Sequence, residues 1–325
     1  MYPDRPVDTS PGRSEQRSEP PAGAPGRNPA IGPCPATATT RGPVAVRTIA
    51  VVNRKGGSGK TTTAVSLAAT LAERGLSVLL IDLDPQASAS LWLADIADDR
   101  GPFDAFVGTR ELAALAVNTR VPGLQIVRSS PWLLTAERTM MGDIGVGVLR
   151  AVERLRRDWA FVIIDCPPSM SYLSVGALMA VRETIIPVEA HAISLTGVAA
   201  VVDEMARLKA ALNPSLGKPL IVACRVNRTV HARQVLTQLE STYGGLVARA
   251  SIRESIRLAE AEAARLPITE YAPDTGAAFD YRDLATEVLG RVDFAESRPR
   301  KHTQPSWRRL FTRPANDAAS KRRAV

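Results

Sequence analysis

The segment TIAVVNRKGGSGKTTTAVSLAATLAERG, residues 48–75, constrains the fold more than any other stretch of the chain. An apolar run, a glycine-rich turn and a helix-length amphipathic run follow one another with no spacer. A strand that feeds a helix through a tight turn must return to a parallel strand through a right-handed crossover. The spacing of apolar runs farther along supplies the remaining strands.

Short Val/Ile/Leu runs predict strands at 47–53, 77–84, 124–130, 161–166, 184–189 and 219–227. Longer amphipathic segments between them predict helices at 60–74, 132–156, 172–182, 195–212, 231–243, 255–264 and 277–292. Near-continuous apolar strands are buried on both faces, which is the habit of a parallel sheet covered by helices. The expected fold is therefore α/β, a doubly wound and mostly parallel sheet flanked by helices.

Three regions follow from composition. Residues 1–45 hold ten of the 24 prolines and almost no large apolar residues, so they cannot bury enough surface to offset their ordering entropy and read as a disordered leader. Residues 46–295 carry the alternating pattern and read as one α/β domain. The formal net charge of +8 is concentrated at the other end, because residues 296–325 alone carry +7 while 46–295 are neutral. That basic tail is expected to be disordered. No apolar run approaches the roughly 20 residues of a membrane-spanning helix, no secretory signal pattern opens the chain, and Cys34, Cys166 and Cys224 have no disulfide spacing. A cytoplasmic protein is expected.

The turn at 55–62, KGGSGKTT, has the chemistry of a phosphate cradle. Gly56, Gly57 and Gly59 let backbone N–H groups approach an anion, Ser58 lies among them, and the following helix adds its dipole. Lys60 supplies a mobile charge for the β and γ phosphates, the Thr61 hydroxyl is placed to ligate Mg²⁺, and Thr62 to reach the α-phosphate. A glycine in the usual pattern is replaced by Arg54, and a second lysine, Lys55, stands at the mouth of the loop. Taken alone, the residues indicate an Mg²⁺-dependent P-loop ATPase.

This loop resembles the deviant Walker A box of the ParA/MinD group of P-loop ATPases. VLLIDLDPQAS (78–88) resembles the group's second box, with a DPQ ending closer to ParA, and FVIIDCPPS (161–169) resembles its Walker B segment. CRVNR (224–228), IRESIRLAEAEAARLPITEYAP (252–273) and GAAFDYRDLATEVL (276–289) are similar to later ParA segments, so the likeness spans about residues 47–292. It implies ATP and Mg²⁺ as ligands, with Lys55 reaching across a homodimer formed in ATP to the partner's phosphates. It implies that Asp84 positions the attacking water, that Asp82 supports the metal shell, and that Asp165 holds Mg²⁺ through water. Asn227 matches an adenine-contacting asparagine, although a turn-capping asparagine accounts for the residue equally well.

The resemblance further implies nonspecific DNA binding, with Arg253 and Arg257 at matching positions, a ParB-like activator of hydrolysis, and a nucleoid-associated role in segregating plasmid or chromosome DNA. In the tail, SWRRLF (306–311) combines aromatic and basic residues and resembles the membrane-targeting helix of MinD, so a MinD-like membrane-surface regulator is a competing expectation, as is a ParA-like positioner of a protein assembly. Cys166, beside the Walker B aspartate, reads as a buried thiol rather than a cluster ligand.

Overall fold

A computed structural model of the chain describes residues 46–96, 100–155, 158–190 and 192–291. The leader, the basic tail and SWRRLF lie outside the described residues. The elements in order are β1 (Arg47–Val51), α1 (Lys60–Glu73), β2 (Val78–Asp82), α2 (Ser88–Leu93), α3 (Pro102–Phe106), β3 (Ala116–Asn118), β4 (Leu124–Val127), α4 (Trp132–Met140), α5 (Gly142–Glu153) and β5 (Phe161–Asp165). They continue with α6 (Tyr172–Ala180), β6 (Glu183–Glu189), α7 (Ala192–Ala211), β7 (Leu220–Cys224), α8 (Val230–Tyr243), α9 (Ile256–Ala263), α10 (Ile268–Tyr271) and α11 (Gly276–Gly290).

The strands form one sheet in the order β3-β4-β2-β5-β1-β6-β7, parallel except for β3. Alternation along each strand sends side chains to opposite faces. Ile49, Val51, Leu80, Ile163 and Val222 pack on one side with α1 and α11. Ala50, Leu79, Ile81, Val162 and Ile186 pack on the other side with the α4–α7 layer. Both faces are dry, so the strands read as unbroken apolar runs rather than as alternating ones. Register then aligns the carboxyl ends: Asp82 stands opposite Asp165, and Asp165 opposite Val51. From β1 the chain crosses to β2 on one side and later reaches β6 on the other, leaving a crevice at these ends, where ligands sit in such sheets.

Two departures from the sequence reading have local causes. The run 132–156 is not one helix, because Met141 takes a left-handed φ of 46° and separates α4 from α5. Strand β3, absent from the expectation, is three half-exposed residues paired antiparallel to β4, too short to show periodicity.

Close packing of α5 on α6 depends on two glycines. A Cβ at Gly176 would lie 2.7 Å from the Gly145 carbonyl oxygen and 2.9 Å from Val148 Cβ. Gly176→Ala is expected to lower stability by about 1–3 kcal/mol through overpacking. A urea midpoint that falls at constant slope would show it, and an unchanged midpoint would mean that the helices move apart freely.

Candidate nucleotide-binding site

The glycine-rich loop joins β1 to α1 at the crevice. Gly57 and Gly59 have φ of 72° and 86°, a left-handed conformation that a side chain resists, and Gly59 is the N-cap of α1. The first turn of α1 therefore opens directly onto the loop, with its unpaired N–H groups facing the cleft. Asn53, at the end of β1, anchors the loop by donating to the Pro187 carbonyl at 2.7 Å while its own oxygen accepts from the Lys55 backbone at 3.2 Å.

The two lysines occupy different environments. Lys60 is buried at 6% exposure, and its ammonium donates to the Lys55 carbonyl at 3.2 Å. Burial lowers its pKa, while Asp165 and Asp84 pull it back up. The Lys55 side chain is 44% exposed at the rim, and its ammonium is paired with Glu189.

Three carboxylates stand behind the loop. Asp82 is fully buried, with one oxygen accepting from the Asp84 N–H at 3.1 Å and the other from Ser90 N–H and Oγ–H at 2.8 and 2.7 Å. Burial pushes its pKa up to about 7 against those hydrogen bonds. Asp84, 7% exposed, lines the cleft and accepts from the Gln86 N–H at 2.9 Å. Asp165 is fully buried, and neither of its oxygens has a hydrogen-bond partner among the described residues. Burial first, and Asp82 second, hold its pKa well above the carboxylate range, opposed by the Thr61 hydroxyl and Lys60. The Ser58 hydroxyl is buried and unpartnered as well. A cradle of backbone N–H groups beside a buried carboxyl with open oxygens has the chemistry to hold a phosphate chain and its divalent cation.

These groups open into a cleft of about 670 Å³ lined by Gly56, Gly57, Gly59, Lys60, Thr61, Thr62 and Asp84 on one side. The other side is the loop from Ile252 to Ile256, with Leu258, Tyr281 and the Cys224 thiol. Asn227 is not among the lining residues. Its oxygen accepts from Thr229 N–H and Oγ–H at 3.2 and 2.7 Å, holding the turn that caps α8. Arg253 does line the cleft, but it is committed to Asp280 through its backbone N–H and two guanidinium bonds of 2.7 and 2.8 Å. Arg257 is exposed and pairs with Glu260 at 2.8 Å. Cys166 is fully buried, with its thiol 3.8 Å from the Ile164 carbonyl. His231 is exposed on α8; His191 and His302 lie outside the described residues.

Sequence reasoning passed over two groups of this site, Ser90 and Glu189. A signal for Glu189 was present: like Asp82 and Asp165, it is a carboxylate ending an apolar strand.

A family model described as an AAA domain matches residues 46–218. The chromosome-partitioning ATPase Soj of Thermus thermophilus is 38% identical over 77% of this chain and 98% of its own length. The sporulation initiation inhibitor protein Soj of Bacillus subtilis is 33% identical over 74% of this chain and 97% of its own. The chain belongs to the ParA/Soj family of P-loop ATPases. Among solved structures, a cobyrinic acid a,c-diamide synthase of Mycobacterium smegmatis, determined with an ATP analog and magnesium, is 29% identical. It aligns with a TM-score of 0.65 over 75% of this chain and 95% of that one. The cell division ATPase MinD of Pyrococcus furiosus, 23% identical with a TM-score of 0.63 over 75% and 99%, shares the fold. This ParA/Soj-family member is thus an ATP hydrolase, and no helix among its described residues is long and apolar enough to cross a membrane.

The two raised carboxyls fix a pH dependence. A carboxyl whose folded pKa lies above its unfolded value binds its proton more tightly when folded. Its contribution is complete below the unfolded pKa and is lost as pH rises through the folded one. The nucleotide-free ATPase should therefore gain stability as pH falls from about 8 to about 5, with Asp82 titrating at about 7. Asp165→Asn removes part of that gain and raises Tm at pH 8, by ~2–4 °C for each kcal/mol of charge burial relieved. Thermal scans across pH without nucleotide test this, and a Tm that is flat or falls over that window for the natural sequence would contradict it.

Proposed function

We propose that this ATPase binds Mg·ATP in the cleft, dimerises face to face through Lys55, and as a dimer holds DNA nonspecifically. A ParB-like partner on a plasmid or chromosome cargo then stimulates hydrolysis and release. The observation that carries the reading is the division between the lysines: Lys60 is buried where its own subunit's phosphates would lie, and Lys55 stands half-exposed at the rim, in an ion pair with Glu189 that an anion outside its own subunit could replace.

The placement of each residue supports the role proposed for it. Backbone N–H groups of residues 56–62 and the start of α1 bind the phosphate chain. The buried, unpartnered oxygens of Asp165 and the Thr61 hydroxyl suit a hydrated divalent cation, which when bound neutralises charge on the β and γ phosphates. Asp84, lining the cleft and steadied by the Gln86 N–H, orients the attacking water. Asp82, with both oxygens engaged, acts on the metal shell only through the turn that carries Asp84. Lys55 supplies the second cation that stabilises charge in the partner's transition state.

For DNA, Arg253 and Arg257 already have acidic partners, so each would exchange an ion pair for a phosphate contact. Arg228 and Arg233, exposed around the start of α8, extend the same basic region. Nonspecific binding requires phosphate neutralisation alone. The location proposed is the cytoplasm, on the nucleoid. Membrane contact through residues 306–311 is the alternative.

Solution mass with ATP and Mg²⁺, with and without duplex DNA, tests the reading. The natural sequence should dimerise and load on DNA, and Lys55→Ala should do neither. If both stay monomeric and off DNA, the partition reading fails. Asp84→Ala should keep ATP-dependent dimers while turnover falls by about 10²- to 10⁴-fold. Phosphate release at the natural rate would remove Asp84 from the mechanism.

A further inference from the structure

Glu189 ends β6, the strand that lies between β1 and β7. Loops from both neighbours converge on it. Lys55, in the loop after β1, pairs with Oε2, and Arg225, one residue past β7, donates to Oε1 at 2.9 Å. The Glu189 side chain is 7% exposed, against 44% for Lys55 and 54% for Arg225. Burial alone would raise the carboxyl's pKa, yet the two cations hold it below the usual range. Arg225 reaches this position with a φ of 53°, a conformation that non-glycine residues seldom adopt, and its guanidinium also lies 3.6 Å from Glu254.

We propose that Glu189 is a positioning residue that holds Lys55 on its own subunit, and that Arg225 is the counter-charge that lets Lys55 go. The inference rests on Lys55 being the cross-subunit contact. A carboxylate this buried must stay paired. If Lys55 were its sole partner, release would strand the charge. Because Arg225 remains on the other oxygen, Lys55 can leave while Glu189 stays compensated. The subunit thus alternates between a form with Lys55 held and a form with Lys55 free, and only the second can engage a partner. A binding-competent fraction below one weakens association by that fraction. Half-exposed ion pairs shift such an equilibrium by about two- to fivefold. A symmetric dimer uses two Lys55 side chains, so the factor enters twice, making about four- to twenty-fivefold in the dimer association constant.

The test is the dimer dissociation constant of the full chain by sedimentation, in Mg²⁺ and a nonhydrolysable ATP analogue. Glu189→Gln keeps the shape and removes the charge, and should tighten the dimer by the factor above. Arg225→Gln leaves the carboxylate dependent on Lys55 and should weaken it. Opposite signs from two partners in one ion-pair cluster are not what a merely structural role gives, since loss of packing would weaken both. Glu189→Gln combined with Lys55→Ala should match Lys55→Ala alone. If Glu189→Gln is unchanged or weaker while Lys55→Ala abolishes dimers, Glu189 does not restrain Lys55 and the proposal falls. Should Glu189→Gln fail to fold, Arg225→Gln decides alone, and an unchanged or tighter dimer there overturns it. Lys55→Ala dimerising like the natural sequence would instead remove the reading of Lys55 beneath it.

Discussion

Two carboxylates that face each other in register at the ends of adjacent parallel strands, both out of contact with water, are the constraint on which the rest of this site depends. Coulomb repulsion at low dielectric makes such a pair expensive unless each charge is answered. Asp82 is answered locally by three donors, and those bonds tie the turn at Asp84 and the start of α2 to the strand end. Asp165 is answered less fully, by the Thr61 hydroxyl and then by Lys60, and burial holds its pKa well above the carboxylate range. The same hydrophobic register that stacks Ile81 beside Ile164 delivers this unequal pair to the crevice. Core packing therefore forces the charge problem, and a cation with phosphates is the ligand that resolves it.

Much of this was legible before any coordinates. Six strands and the helices that follow the loop, the second box and the Walker B segment can be read because each is long, apolar and bounded by glycine, proline or a charge. The layer between β2 and β4 was less so. The helices α2 and α3 have six and five residues, and β3 has three, so none completes enough periods for a pattern to show. The break at Met141 is a backbone conformation adopted by a residue with no preference for it, and nothing in MMG at 140–142 marks its position.

Within the site, residues whose role depends on the backbone were readable, and those whose role depends on a distant partner were not. Gly57 and Gly59 need only their own φ to be understood. Asn227 could be a base contact or a turn cap from sequence, and the position of Thr229, two residues on, decides which bonds it makes. Arg253 looks like a free cation until Asp280, 27 residues later, is seen to take both arms of its guanidinium. Glu189 lies 134 residues from Lys55, and no periodicity links them. Charge partners across a sheet are the information that a linear reading lacks.

The contrast between the lysines carries the functional argument further than motif matching does. Lys60 is held by geometry: it is buried, it donates to the loop's own backbone, and it has two aspartates within electrostatic reach. Its desolvation is already incurred by burial, so a phosphate entering the cradle meets a cation that need not be stripped of water, and binding gains from that preorganisation. Lys55 is held by charge alone, half in solvent, on a carboxylate that has a second cation in reserve. A group bound that way can be drawn off by a stronger anion without unfolding anything around it. In a face-to-face dimer the stronger anion would be the neighbour's phosphate chain, so occupancy of one subunit's cleft would be read by the other subunit's lysine. On the proposed reading, nucleotide state and association would be two views of one electrostatic exchange, with the control of association at the strand ends rather than in the flanking helices.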